Sequence, residues 1–431
     1  YTYYMRRSIV LCITLLLTFI AFVGSPAYAQ IITDSNHTDL GKTVTLYKNG
    51  IDLEAPVLAL GSDDRLLLRF DILSPEVDNY RYRIQHCDRN WRPDDLQPYE
   101  YINGFEESPI DNYNPSFTTL QSYVNYFQLI PAPYTQFLIS GNYVISVFPQ
   151  DYPDSILFTR RFYVTEESLR ISASISTPFD NHDIQRRRQL DVFVESNPDY
   201  AGGLIPPTLN PAYISIIAQQ NGRLDNQRQL SFSGFDRNAL AYRNRPENIF
   251  YCGNTFRFFD ISNIRTAMYN VASISEYGGE WFAMLKPLED RSHKPFITET
   301  VLNGGMKVNV WDRTNTHTEA DYVHVNFSLP MQYPFMNGNI YLVGDFTQWH
   351  LDDKARFQYN PELHAYTLRT LLKQGYYSYQ LLFLPIGDSQ GLTSTLEGDH
   401  FQTPNNYRIY AYYRAPADRY DRLCNLLTVN N

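Results

Sequence analysis

The sequence predicts an all-β protein made of β-sandwich domains in tandem. Segments in which apolar and polar residues alternate recur along the chain, for example residues 65–73 and 79–87. Pro, Gly and Asn separate these segments, as they do between short strands. Tyrosine is abundant, with 35 copies in a chain whose residues are 15% aromatic, and its amphipathic ring suits half-wet strands and contact surfaces.

Residues 1–29 are predicted to form a signal peptide that is removed before Gln30. A pair of arginines precedes an apolar run, and the motif AYA at 27–29 places small residues where a signal peptidase reads the chain. Residues 1–4, ahead of Met5, are interpreted as sequence upstream of the true start. A retained membrane anchor is the alternative, but the apolar run is short for a membrane span.

Cysteine content and charge limit the classes of protein that fit an exported chain. After residue 29 only Cys87, Cys252 and Cys424 remain, far apart in sequence, so no disulfide framework is expected in an oxidising compartment. The net charge is −10, and loss of the two arginines of the signal peptide makes it −12. Since no basic stripe is present, nucleic acid is not an expected partner.

The strand-like segments divide the exported chain into three predicted domains, 30–165, 166–300 and 301–431. The second contains Asn221-Gly222, a strong hairpin signal, and the Pro-rich segment 197–211, which is either a solvated connection or an interaction loop. The third carries five or more strands, most with tyrosine, and resembles an immunoglobulin-like sandwich.

No catalytic constellation is recognised, and the chain is predicted not to be an enzyme. Nothing resembles a P-loop or paired CxxC ligands. The stretch "LISGNY" lacks the glycine pattern that flanks a nucleophilic serine, so it is interpreted as a hairpin turn. No cofactor is expected.

Two acidic segments with histidine are candidate metal sites. The better one precedes a strand and holds His317, Glu319, Asp321 and His324. In an extended chain His324 falls on the opposite face from the other three, so a solvated lead-in to the strand is preferred. By the same argument the second segment is interpreted as a polar loop; it holds Glu397, Asp399 and His400.

The arginine run 186–188 is a candidate contact for an anionic partner such as phosphate or lipopolysaccharide. Guanidinium forks suit such groups. The preferred interpretation is a solvated edge that partly offsets an acidic surface.

Two tryptophans follow tyrosine-rich strands in the same way, Trp91 in "YRYRIQHCDRNW" and Trp349 in "YLVGDFTQW". In each, an aspartate turn ends the strand and the tryptophan folds back, where its ring can cover the open end of a sandwich core. Glycan binding by Trp349 is the alternative, and it would need an exposed ring beside a second aromatic residue. Recurrence of the arrangement in two domains favours the structural role.

The chain resembles the type IX secretion system plug protein family of Bacteroidota. The matching stretches include "YRYRIQHCDRNWRPDDLQPYEYINGF", "GNTFRFFDISNIR", "YLVGDFTQW" and "GDHFQTPNNYRIYAYYR", and they run in family order through all three predicted domains. Thr255 and Cys424 depart from the family, which tends to have glutamate and glycine at these positions.

The resemblance implies a non-enzymatic periplasmic protein, peripheral to the outer membrane. Such a protein docks on the translocon of the secretion system, a very large β-barrel, and seals its pore. The resemblance assigns no catalytic, cofactor, metal or partner-binding residues. A secreted glycan-binding protein using the Trp349 region is the alternative, because "GDFTQW" is also similar to immunoglobulin-like modules of starch- and glycogen-active enzymes.

Overall fold

The alternating segments of the sequence form strands in three β-sandwiches. The computed structural model describes residues 31–431 except 201, 203–207 and 300. The predicted signal peptide, 1–29, and part of the predicted loop 197–211 lie outside these residues. Within the described part of the chain, no helix has the length and apolar character needed to cross a membrane. The all-β prediction is confirmed.

The first sandwich packs two sheets around a core that contains Leu66, Leu68 and Phe70, all fully buried by the predicted alternation. Its elements are β1 (Ser35–Asn36), β2 (Gly41–Lys48), β3 (Val57–Ala59), β4 (Leu66–Ile72), β5 (Tyr80–Cys87), α1 (Pro98–Tyr101), β6 (Ile102–Asn103), β7 (Glu107–Ile110), β8 (Asn112–Pro115), β9 (Val124–Ile130), β10 (Gln136–Phe137), β11 (Gly141–Pro149) and β12 (Phe158–Thr165). One sheet has the order β1-β12-β11-β5-β7 with β3 beside β12, and the other has the order β2-β4-β9-β8. Strands β6 and β10 form a separate ribbon.

The second sandwich begins after residue 166. Its first elements are β13 (Leu169–Ser176), β14 (Arg187–Ser196), a 3₁₀ turn (Pro211–Tyr213), β15 (Ile214–Gln220), β16 (Arg228–Leu230), β17 (Gly234–Asp236), β18 (Ala239–Tyr242), a 3₁₀ turn (Pro246–Asn248) and β19 (Ile249–Tyr251). One sheet is complete at this point, with the order β13-β14-β18-β17 and β19 beside β14. Asn221 and Gly222, the predicted turn, both adopt positive φ between β15 and β16.

The third sandwich follows without a break in the chain. Its elements are β20 (Arg257–Asp260), β21 (Val271–Tyr277), β22 (Glu280–Leu285), β23 (Met306–Val308), α2 (Thr316–Glu319), β24 (Tyr322–Pro330), β25 (Gly338–Val343), a 3₁₀ turn (Asp345–Thr347), β26 (Gln358–Asn360), β27 (Ala365–Lys373) and β28 (Gly375–Pro385). One sheet has the order β20-β28-β23 with β25 beside β28, and the other β21-β22-β24-β27-β26.

The last two strands, β29 (Asn406–Tyr413) and β30 (Arg422–Asn430), return to the second sandwich. Strand β29 pairs with β15 and completes the sheet β16-β15-β29-β30. The third sandwich is therefore inserted into the second. This grouping differs from the predicted domains 166–300 and 301–431. The inward-facing side chains of β29 are buried in the core of the second sandwich, and the order of strands in the sequence does not indicate this pairing.

A buried ion pair joins the first and third sandwiches. Lys373 Nζ lies 2.6 Å from Asp71 Oδ2, and each side chain is 1% exposed. Asp71 also accepts hydrogen bonds from the Tyr322 hydroxyl at 2.7 Å and the Asn125 amide at 2.6 Å. Burial lowers the pKa of Lys373, and the charge of Asp71 opposes that shift. Both charges are thus compensated inside the seam.

The C-terminal strands join the second sandwich to the first. The Tyr412 hydroxyl donates to Asn142 Oδ1 at 2.8 Å. Just before β30, Asp421 is 2% exposed and accepts a hydrogen bond from the Arg89 guanidinium at 2.8 Å. Buried polar contacts therefore hold this seam as well.

We expect Lys373→Met to lower the free energy of unfolding by about 3 to 5 kcal/mol, because it leaves the Asp71 carboxylate buried without its countercharge. Urea denaturation at pH 7 measures the change. The matched control is Lys354→Met, since Lys354 also joins the third sandwich to the first, at 3.1 Å from Asp39, but in solvent. A loss no larger than that of the control would contradict the importance of the buried pair.

Candidate docking surface

One end of the first sandwich exposes a cluster of large apolar side chains, here called the first tip. Its members are Tyr99, Phe105, Tyr134 and Leu138, and Tyr134 is 98% exposed. Three segments bring them together: α1, the β6–β10 ribbon and the loop before β10. Exposed aromatic residues of this size in one place are typical of protein interaction sites.

The backbone of the first tip is constrained. Gly104 has φ +128°, and a Cβ there would lie 2.9 Å from the Tyr134 carbonyl oxygen, so the two loops touch. Pro131 and Pro133 restrict φ on the approach to Tyr134. The loop that carries Tyr134 therefore needs little ordering when it binds a partner, which favours affinity.

A similar cluster, here called the second tip, lies at one end of the third sandwich. Its members are Tyr333, Met336, Leu363 and Ile386, all well exposed. Backbone hydrogen bonds place their loops side by side: the Ile386 amide donates to the Asn337 carbonyl at 2.9 Å, and the Met331 amide donates to the His364 carbonyl at 2.8 Å.

Neither tip could be predicted from the alternation pattern of the sequence, because single apolar residues in loops have no periodicity. The signal that could have found them is the presence of bulky apolar residues inside Pro- and Gly-containing turns, as in "PAPY" and "MQYPFMNG". Exposure of such residues to solvent is unfavourable in free energy, so their presence suggests a contact surface.

The predicted metal candidates do not converge, and no group of at least three His, Cys, Asp or Glu residues suited to a metal occurs among the residues described. Asp321 is 3% exposed and accepts hydrogen bonds from the Leu120 amide and the Trp281 indole. The expectation of a solvated lead-in is therefore wrong for Asp321, which caps a loop of the first sandwich. Burial, helped by Arg69 and Lys373, lowers the pKa of His317 to about 4.

The segment interpreted as a polar loop is buried between the second and third sandwiches. Glu397 is 0% exposed and accepts hydrogen bonds from Arg257 at 2.9 Å and Arg291 at 2.9 Å. Burial alone would raise the pKa of Glu397, but the two guanidiniums lower it to about 2. Asp399, also buried, accepts a hydrogen bond from the Gly253 amide. The polar-loop interpretation is wrong for these two carboxylates, whose partners lie far away in sequence.

The arginine run does not form one cationic patch. Arg187 pairs with Asp180 at 3.1 Å, and Arg188 stacks over the ring of Phe401 at 5.0 Å. Arg186 instead points towards Asp399, at 3.4 Å, in the seam between the second and third sandwiches.

Neither tryptophan covers the end of a sandwich core. Trp91 is 4% exposed, lies outside the first core and packs on the outer face of its sheet, under the Arg161 guanidinium at 4.4 Å and beside Tyr163. Its φ of +65° turns the side chain back over the strand. The structural role remains, but the ring seals the outside of a sheet.

Trp349 fills the seam between the second and third sandwiches. A Cβ added to Gly304 would lie 2.2 Å from its ring, and one added to Gly222 would lie 3.3 Å from it. The indole N–H donates to Asp345 Oδ1 at 2.8 Å, and the neighbouring aromatic residue, Phe256, is 1% exposed. Phe256 is therefore too buried to form, with the half-buried ring of Trp349, the exposed aromatic pair that glycan binding needs. Glycan binding at Trp349 stays a prediction.

The two departures from the family lie inside the protein. Thr255 is buried and its hydroxyl donates to the Ile297 carbonyl at 3.0 Å. Cys424 is buried in the second core, and burial raises the pKa of its thiol. All three cysteines in the described residues are free and buried. Neither departure therefore alters a surface that a partner could touch.

Comparison with known proteins identifies the family. Among proteins of curated function none matches this chain. The fold is similar to the crystal structure of a hypothetical protein from Parabacteroides merdae ATCC 43184, at 33% sequence identity and a TM-score of 0.88, over 93% of this chain and 100% of that one. Residues 42–166 match the family model described as Type 9 secretion system plug protein 1st domain. This chain belongs to the type IX secretion system plug protein family.

Membership in the plug family confirms the resemblance found in the sequence and makes this protein a component of type IX secretion. The matched residues make up nearly all of the first sandwich, including the loops that carry the first tip.

In this plug-family protein, Trp349→Ala is expected to lower the free energy of unfolding by about 3 kcal/mol, because it empties a seam that two glycines have shaped for the ring. Thermal and urea denaturation measure the loss. Trp311→Ala is the control, since Trp311 is 67% exposed. Equal effects of the two substitutions would contradict a structural role for Trp349.

The Glu397 cluster predicts acid sensitivity. Because the folded-state pKa of about 2 lies below the usual 4.5, ionised Glu397 stabilises the fold above about pH 4.5, and this contribution is lost as the pH falls towards 2. The difference in unfolding free energy between the wild type and Glu397→Gln should shrink by on the order of 3 kcal/mol across that range.

Urea denaturation at pH 7, 4.5 and 2 measures this change. Glu362→Gln, at an exposed position, is the control and should track the wild type at each pH. A difference between the wild type and Glu397→Gln that is constant with pH would rule out the ionised cluster.

Proposed function

We propose that this protein docks on the periplasmic side of the outer-membrane translocon barrel of the type IX secretion system and seals its pore, without catalysing a reaction. The observation that carries this proposal is the pair of apolar tips on a body whose sandwiches are joined by buried charges. The proposed location is the periplasm, at the outer membrane through its partner only.

A protein that closes a wide pore must keep its shape against the load it resists. Buried polar contacts support this requirement at each of the three seams, through Asp71 with Lys373, through Asp421 with Arg89, and through Asp225, which accepts a hydrogen bond from the Gly391 amide at 2.8 Å. The two partners of each contact lie on different sandwiches. Displacement of one sandwich therefore leaves a charged side chain buried without its partner.

The two tips supply the kind of contact that holds a protein on a partner. Aromatic and methionine side chains are enriched at interfaces, and a few of them carry most of the binding energy. We assign Tyr134 and Phe105 in the first tip, and Met336 and Ile386 in the second, as anchors on the translocon. Two separated anchor points would fix the orientation of the protein across the pore.

The test is a pull-down of the tagged protein from detergent-solubilised outer membranes. The wild type is expected to recover a very large β-barrel protein. The double variants Tyr134→Ser with Phe105→Ser, and Met336→Ser with Ile386→Ser, are each expected to reduce recovery at least about tenfold, since loss of an aromatic or apolar anchor costs 2 kcal/mol or more.

Tyr277→Ser is the matched control, because Tyr277 is 80% exposed but lies at the β21–β22 turn, outside both tips. Failure of the wild type to recover a barrel would reject the plug proposal. Recovery by the wild type and equally by both double variants would reject only the assignment of the tips as anchors.

Glycan binding by the Trp349 region is the rival proposal. Affinity electrophoresis through gels containing starch or glycogen tests it, with no retardation of the wild type expected because the ring packs in a seam. Retardation that Trp349→Ala abolishes, with the fold intact, would favour the rival.

A further inference from the structure

A polar cavity of about 450 Å³ lies between the second and third sandwiches. Three arginines line it together with polar side chains of the loop after β28: Arg186, Arg223, Arg228, Asp388, Gln390 and Thr393. A cavity of this size is in the range of natural ligand sites. The concentration of guanidinium groups raises the question of how their charges are balanced.

Two of the three arginines have carboxylate partners. Arg223 is buried and forms a double hydrogen bond with Asp225, at 3.0 and 2.5 Å. Arg186 lies 3.4 Å from Asp399, a carboxylate that already accepts hydrogen bonds from the Gly253 amide and the Thr393 hydroxyl. Arg186 therefore shares the Asp399 carboxylate with two other hydrogen-bond donors.

Arg228 is the exception. Within the described part of the chain, no carboxylate oxygen lies within 4.0 Å of its guanidinium, which contacts the Ile249 carbonyl, the Gln390 amide oxygen at 3.4 Å and the ring of Phe250 at 4.8 Å. Burial, and then the neighbouring Arg223, lower the pKa of Arg228. The charge of Glu247 only partly opposes this shift. A half-buried cation with no carboxylate in contact is costly, and an anion that completes the site removes this cost.

We propose that this cavity binds a ligand through a carboxylate group, which Arg228 and Arg186 hold. Several guanidinium N–H groups on these two arginines make no hydrogen bond in the contacts above, and their fork matches two carboxylate oxygens. Asp388 and Asp399 also line the cavity, so a phosphate group, which concentrates up to two charges at the arginines, meets more repulsion there than one carboxylate group of a ligand does. The charge pattern therefore favours a carboxylate.

The ligand has two possible sources with the same chemistry, a small organic acid or an acidic peptide segment. Bound at the seam, either would contact both the second and the third sandwich and so stabilise their arrangement. This inference does not depend on docking to a translocon, because none of the residues of the two tips lines the cavity.

Isothermal titration calorimetry of the full protein at constant ionic strength tests the proposal. The probes are citrate, acetylated tetraglutamate and inorganic phosphate. Citrate or tetraglutamate is expected to bind, and Arg228→Gln should weaken the binding at least about tenfold, as loss of a charge-assisted hydrogen bond does.

Arg243→Gln is the matched control. Arg243 also stacks on an aromatic ring, that of Phe193 at 5.4 Å, but it lies outside the cavity and has Asp236 as a partner at 3.6 Å. If Arg228→Gln does not fold, Arg186→Gln, at an exposed side chain, replaces it.

Binding of citrate alone would identify a small acid, and binding of the peptide alone an acidic segment; both support the proposal when the cavity variant weakens them. No binding of either probe would overturn it. Equal weakening by Arg243→Gln, or phosphate binding as tight as that of the carboxylates, would overturn it as well.

Discussion

The arrangement of the three sandwiches depends on charges that are buried between them. Asp71 and Lys373 lie on different sandwiches, and each is nearly inaccessible to water. Neither would tolerate that environment alone, because the transfer of a single ion out of water costs several kcal/mol. The pair therefore contributes less to net stability than to the specific arrangement of the sandwiches. The first and third sandwiches can pack closely only where these two groups meet.

The same logic organises the other buried carboxylates. Within the third sandwich, Glu397 can be buried only because β20 brings Arg257 to it and a distant loop brings Arg291. Across the seam with the second sandwich, Asp225 accepts a hydrogen bond from the Gly391 amide at 2.8 Å. At the centre of the same region, glycines at 222 and 304 make room for the Trp349 ring. Packing and charge thus specify one relative placement of the sandwiches, and this placement fixes the positions of the two tips.

The fold class and most strands could be predicted from the sequence, because alternation of apolar and polar residues is a local property. The domain boundaries could not, since β29 has the same tyrosine-rich alternation whether it pairs with its neighbours or with β15. From the sequence alone Glu397 and Asp321 are expected to be solvated, because the partners that bury them are remote in sequence. The family was recognisable from motifs, whereas the tips depend on which loops meet at one end of a sandwich.

The insertion of the third sandwich into the second has a consequence for how the chain matures. Strand β15 is made early, but its partner β29 follows only after the whole third sandwich. During synthesis the emerging chain therefore carries an open strand edge with apolar side chains, and such an edge favours misassociation. A chaperone that shields this edge until the C-terminal strands arrive would prevent such misassociation.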